Sequence, residues 1–75
     1  MQSVTLYRID QARNMQRYYH LDIQPDLFGN HCLMCKWGRI GHPGQSRMIP
    51  HQTEEQAQAA FHKQQRAKQR KGYAA

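Results

Sequence analysis

One segment of the chain reads Trp37-Gly38-Arg39-Ile40-Gly41-His42-Pro43-Gly44-Gln45, and it contains the only tryptophan and three of the five glycines. Strand-like runs at residues 31–36 and 46–51 flank it, so the whole region predicts a β-hairpin with a turn rich in Gly and Pro. Trp37 and Arg39 are two residues apart, and on an extended strand both side chains leave the same face. The sequence therefore predicts an indole beside a guanidinium near a tight turn, a surface suited to a sugar or base next to a phosphate.

Two more strands are predicted before this hairpin. Residues 1–10 alternate in the manner of a strand, a polar turn follows, and residues 17–23 show the clearest alternation. In the second strand we expect Tyr19, Leu21 and Ile23 to face the core. The loop at residues 24–30 is expected to be held in place by two hydrophobic plugs, Leu27 and Phe28.

The last third of the chain changes to helical periodicity. The residues Thr53-Glu54-Glu55-Gln56 form a capping box, Ala57 and Phe61 provide a thin apolar stripe, and Gly72 is the predicted stop. We therefore expect one domain over residues 1–75 of the α+β class: a small antiparallel sheet of about four strands, packed by one C-terminal α-helix.

Charge and hydropathy limit the classes of partner. The chain has 75 residues, a net charge of +6 and a pI near 9.8. This basic charge favours an acidic partner, and nucleic acid is the first candidate. The alternative is a protein that is basic for no functional reason. No apolar run approaches the length of a membrane span or a signal-peptide core. The expectation is therefore a cytoplasmic protein without a membrane partner.

Blocks of sequence spread over most of the chain resemble the WGR domain family. They are Asn14, Arg17-Tyr18-Tyr19-x-Leu21, Asp26-Leu27-Phe28-Gly29, Trp37-Gly38-Arg39-Ile40-Gly41-x-x-Gly44-Gln45, and Lys71-Gly72-Tyr73 after a basic helix. The resemblance runs from about Leu6 to Tyr73 and includes the tripeptide that names the family. Two positions depart from the pattern, because many bacterial relatives carry Trp at the position of His31 and Arg at that of Cys35.

The resemblance implies a small antiparallel sheet with one helix, in agreement with the periodicity. WGR domains occur in DNA-dependent poly(ADP-ribose) polymerases, where they bind near a DNA break and relay this to the catalytic domain. In that family the Trp packs on the sugar at a strand terminus and the Arg contacts the backbone. By position these residues are Trp37 and Arg39. The resemblance carries no transferase domain with it, so no enzyme activity and no cofactor are expected.

Basic residues in the hairpin and the helix extend this candidate surface. A simpler interpretation exists for each group: a lone Trp is often a core residue, and cations at the end of a helix complement its dipole. Unbalanced cations also follow phosphates, with binding that weakens as salt rises. The predicted nucleic-acid-binding residues are Trp37, Gly38, Arg39, Lys36, Arg47, Arg17, Lys63, Arg66, Lys68, Arg70 and Lys71.

Cys32 and Cys35 have the spacing of a metal or redox motif. On a strand, residues three apart point to opposite faces, and the chain has no further cysteine pair. We therefore predict free or structural cysteines and no metal site. No nucleophile–base arrangement is visible in the sequence either.

Two functions remain open from the sequence. In the first, the chain binds double-stranded DNA near an end or break, and Trp37 and Arg39 read structure rather than base sequence. In the second, the hairpin face with Trp37, His31 and Leu33 docks against another protein or a second copy of the chain. Salt separates them, since only nucleic-acid binding falls steeply and linearly on a log–log plot.

Overall fold

The computed structural model of the chain describes residues 2–75. Met1, which the prediction placed at the start of the first strand, lies outside the described residues. Within these residues the structure has four strands and one α-helix: β1 (Ser3–Asp10), β2 (Met15–Pro25), β3 (His31–Arg39), β4 (Gln45–His51) and α1 (Glu54–Arg70). A short 3-10 helix, Gln11–Arg13, forms the turn between β1 and β2. The strands form one antiparallel sheet in chain order. The predicted α+β architecture is confirmed.

The alternation of the strands gives the sheet two different faces. The face against α1, called the helix face below, forms the core together with residues of the helix: Tyr19, Leu21, Ile23, Leu33, Cys35, Ala57 and Phe61. The opposite face, called the open face, carries Tyr7 and Met48, which are 44% and 58% exposed. The prediction that Tyr19, Leu21 and Ile23 face the core is confirmed.

The helix begins and ends where its capping signals predict. The Thr53 hydroxyl accepts a hydrogen bond from the Gln56 amide at 3.1 Å, an N-cap contact worth about 1 kcal/mol. Ala57 and Phe61 are buried against the sheet. Gly72, with φ of +98°, takes the left-handed conformation just after the helix. The chain then returns to the sheet, and Ala74 exchanges two backbone hydrogen bonds with Tyr7 at 2.7 and 2.8 Å.

The loop between β2 and β3 contradicts the prediction that Leu27 and Phe28 act as hydrophobic plugs. These side chains are 98% and 88% exposed. The carboxylate of Asp26 holds the loop instead. It accepts hydrogen bonds from the amides of Phe28 and Asn30 at 2.8 and 2.9 Å, and from the Asn30 side chain at 3.1 Å. An Asp can close a turn by bonding to backbone groups that follow it, and this polar anchor leaves the apolar side chains free to project outward.

The cysteines lie on opposite faces of β3, as their spacing predicts. Both are free and buried. The Cys32 thiol donates to the Asp26 carboxylate at 3.7 Å, and burial followed by the nearby Asp26 charge raises its pKa. Cys35 lies on the helix face within the core. Among residues 2–75, no three His, Cys, Asp or Glu side chains come together as a possible metal site.

Candidate nucleic-acid interface

Trp37 lies at the end of β3 on the helix face, directly opposite Tyr19 of β2. The two rings stack with centroids 6.0 Å apart and an angle of 21° between their planes. Trp37 packs against the core but is only partly buried. The indole therefore has one face supported by Tyr19 while part of it stays open, so the core role and the contact role are compatible.

Arg39 follows Trp37 on the same face, as predicted from their spacing. Its guanidinium donates to the backbone carbonyl of Asn14 at 3.3 Å. Asn14 adopts a left-handed conformation, with φ of +50°, where the turn after β1 enters β2. This hydrogen bond holds an exposed guanidinium at the end of the sheet, near the indole.

Three arginines stand side by side across the sheet at this end. The strand register pairs Arg8 with Arg17 and Arg17 with Arg39, and we call these residues the arginine row. In the part of the chain that the structure describes, Asp10 pairs with Arg13 and Asp22 is hydrogen-bonded to His20, and no carboxylate pairs with the row. Like charges directly opposite each other destabilise a sheet, and an anion bound across them removes that repulsion.

A cavity of about 200 Å³ adjoins Trp37 between the sheet and the last turns of α1. This aromatic pocket is lined by Tyr19, Cys35, Trp37, Arg47, Gln64 and Lys68, among others. The Lys68 ammonium lies 4.5 Å from the centre of the Tyr19 ring and 5.7 Å from that of Tyr73, within the range of cation–π contact. Burial and the charge of Lys71 lower the pKa of Lys68.

The pocket is kept in shape by its own polar contacts. The Gln64 side-chain amide donates to the Tyr19 hydroxyl at 3.3 Å. Burial raises the pKa of Tyr19, so this hydroxyl is neutral throughout the physiological range. Tyr73 meets the Tyr19 ring edge-on at 6.3 Å. The arrangement is an aromatic wall with cations at its rim and no carboxylate among the lining residues.

The structure brings some of the predicted residues to this surface and leaves others elsewhere. Arg17, Arg39 and Arg47 lie on the helix face around Trp37, and Lys68 approaches the same place from α1. Exposed cations on the outer side of α1, turned away from the sheet by the helical repeat, are Lys63, Arg66 and Arg70. Lys71 caps the end of the helix, and Lys36 points to the open face by strand alternation.

Gly38 has a packing role that explains its position between Trp37 and Arg39. A Cβ built on Gly38 would lie 2.8 Å from the Cα of Gly44 and 3.5 Å from the Tyr18 ring. A Cβ on Gly44 would in turn overlap the Trp37 carbonyl oxygen and the Tyr18 hydroxyl. Close approach of the two glycines therefore fixes the hairpin next to the indole, and Gly38 does so from the open face.

Sequence reasoning missed Arg8. Its alternation with Val4 and Leu6 places it on the helix face, but its neighbours become known only with the register of β1 against β2.

The docking face considered as the alternative, with Trp37, His31 and Leu33, is wrong in its composition. Leu33 is 1% exposed beneath α1, and His31 lies at the far end of β3.

Comparison with known protein families identifies the family. The sequence model of the WGR domain matches residues 2–75. The uncharacterized protein y4dW of Sinorhizobium fredii is 47% identical over 66 residues, which are 88% of this chain and 32% of that relative. The chain thus spans about a third of the length of this curated relative. No solved structure matches, and none of the described helices is long and apolar enough to cross a membrane.

Proposed function

The chain belongs to the WGR domain family, a non-catalytic module known from nucleic-acid-binding proteins, and we propose that it binds double-stranded DNA near an end or a break. The arginine row beside the half-open Trp37 ring is the observation that carries this proposal. Cations without carboxylate partners are suited to phosphates, and a supported aromatic ring is suited to a flat apolar surface.

The aromatic ring favours an end over the interior of a duplex. Inside a continuous duplex each base pair stacks on the next and each sugar is linked to a nucleotide on both sides, whereas the last nucleotide leaves one side of its base and sugar free. Trp37 is backed by Tyr19 and packs on that free side. Arg39 and Arg17 then contact the backbone phosphates nearest the end.

Electrostatics contributes affinity but no base preference. The cations around Trp37 contact phosphate oxygens, which are the same for every sequence. Each phosphate neutralised on a duplex makes the slope of the logarithm of affinity against the logarithm of salt concentration more negative by about 0.9. With the arginine row, Arg47 and Lys68 in place, we expect a slope of about −3 to −5.

The fluorescence of Trp37 tests the proposal directly, because the chain has one tryptophan. The protein is titrated with a blunt 5′-phosphorylated duplex and, in parallel, with a dumbbell of the same sequence that has no ends. A change in emission with the open duplex alone supports end binding. Binding to both DNAs by anisotropy without a change in emission contradicts the role of Trp37, and no binding to either at low salt contradicts the whole proposal.

A further inference from the structure

The tip of the β2–β3 loop displays two large apolar side chains on a backbone that is held by hydrogen bonds. Leu27 and Phe28, called the apolar tip below, are 98% and 88% exposed. The Asp26 carboxylate bonds to the amides on both sides of Gly29, and the Asp26 amide donates to the Asn30 carbonyl at 3.1 Å. Because the loop is already ordered, it loses little conformational entropy on binding. A small apolar contact can then contribute net affinity.

The end of the molecule that carries the apolar tip is acidic. Glu54, at the start of α1, lines a cavity with Pro25 and His31, so the start of the helix lies beside the loop. Three of the five carboxylates belong to this end: Asp26, Glu54 and Glu55. Among residues 2–75 none of the three forms an ion pair.

The aromatic pocket lies at the other end and has the opposite charge. From Tyr19, which lines the pocket, to Pro25 the β2 strand spans about 20 Å at its usual rise, in a molecule 45 Å long. Arg47 and Lys68 line the pocket, and the arginine row adjoins it. At about 200 Å³ the pocket has the size of one large apolar side chain, and aromatic rings form its wall.

We propose that copies of the chain associate head to tail, with Phe28 of one copy entering the aromatic pocket of the next. The two ends are complementary in shape, apolar character and charge: an apolar tip beside carboxylates meets an aromatic pocket rimmed by cations. The contact joins different surfaces of the two copies, so it does not close into a symmetric dimer and continues along a chain of copies.

This association is weak and sensitive to salt. A stable interface buries about 1,200 Å² or more, and two side chains with their surroundings bury much less. We therefore expect a dissociation constant for self-association in the upper micromolar to millimolar range. Rim charges contribute through long-range attraction that salt screens. Leu27 flanks Phe28 and packs on the pocket's edge.

Sedimentation velocity from about 10 µM to about 1 mM protein measures the association at low salt. Two single variants each remove one end of the contact: Phe28→Ala for the tip and Arg47→Glu for the pocket. Both residues are exposed, so circular dichroism is expected to show both variants folded. Each variant alone is expected to lose self-association, with an apparent dissociation constant raised about tenfold or more.

Mixing the two variants gives the decisive result. In the mixture, Arg47→Glu supplies an intact tip and Phe28→Ala supplies an intact pocket, so a one-to-one complex forms and grows no further. A wild-type protein that stays monomeric over the whole range overturns the proposal. So does association that survives Phe28→Ala, or a mixture of the two variants that stays monomeric, because a head-to-tail contact requires that the mixture associate.

Discussion

The Cα of Gly44 lies so close to Gly38 that a Cβ on Gly38 would come within 2.8 Å of it. The ring of Tyr18 on the open face would lie 3.5 Å from the same Cβ, so it limits the space on that side. Trp37 and Arg39 project from the other face of the same strand. The glycine between them therefore lets the hairpin fold back on itself, while its neighbours are left to meet a ligand.

Replacing Gly38 by Ala is expected to destabilise the protein by about 1–3 kcal/mol, the usual cost of inserting a methyl group into a close-packed site. Urea unfolding followed by Trp37 emission measures this change. Ser46→Ala is the matched control, because Ser46 lies exposed on the open face of the neighbouring strand and its change removes no packing. Equal unfolding midpoints for Gly38→Ala and the wild type would contradict the packing role.

Removing one member of the arginine row is expected to weaken DNA binding without weakening the fold. Arg17→Ala deletes a phosphate contact, so the slope of log affinity against log salt falls by about one unit in magnitude. It also removes repulsion from Arg8 and Arg39, which lie opposite it, so stability is unchanged or slightly higher. Anisotropy with a labelled duplex and urea unfolding give the two quantities.

Lys63→Ala is the control for this prediction, since Lys63 carries the same charge on the outer side of α1. It lowers the net charge equally but removes no group near Trp37. An equal loss of affinity from both variants would show that total charge, and not the arginine row, determines binding.

The fold follows from sequence patterns because each of them is local. The alternation around Tyr19 and Leu21 and the cap at Thr53 involve residues within a few positions of each other. The site depends on register, which joins residues far apart in the chain. Arg8 and Arg39 lie in one row only because each of them pairs with Arg17 of β2, which lies between their strands.

The error at Leu27 and Phe28 has a different physical origin. Apolar residues in a loop are expected to pack inward because burial stabilises them. Here the Asp26 carboxylate accepts hydrogen bonds from the amides of the loop, so the backbone is held without any contact from the apolar side chains. The sequence shows Asp26 and both apolar residues, but only the hydrogen bonds show which of them controls the turn.

The ordered structure of the β2–β3 loop is expected to depend on pH through the ionisation of Asp26. The hydrogen bond with Asn30, followed by that from the Phe28 amide, lowers its pKa below the ordinary value of 3.8. Because the folded state binds the proton more weakly than the unfolded state, the stabilisation is complete above pH 3.8 and is lost as the pH falls through the lower folded value. Chemical shifts and exchange rates of the Phe28 and Asn30 amides, followed by NMR during acidification, report this change.

Asp26→Asn separates the charge from the geometry of the turn. Its amide oxygen still accepts hydrogen bonds from the two backbone amides, but the side chain does not titrate in this range. In the variant these signals are expected to stay constant over the pH interval in which those of the wild type move. Identical titration curves in the two proteins would assign the effect to another group.

Duplex DNA and the apolar tip are expected to compete, because both proposals place their ligand against Trp37. Adding a blunt duplex to concentrated protein is expected to dissociate the head-to-tail assemblies. The dumbbell offers no end and is expected to dissociate them less effectively. Phe28→Ala keeps every group of the arginine row and of the aromatic pocket, so in dilute solution it binds the duplex with the affinity of the wild type. Assemblies that persist at saturating duplex would show that the two ligands occupy separate surfaces. A loss of duplex affinity in Phe28→Ala would show that the far end of the sheet also contacts DNA.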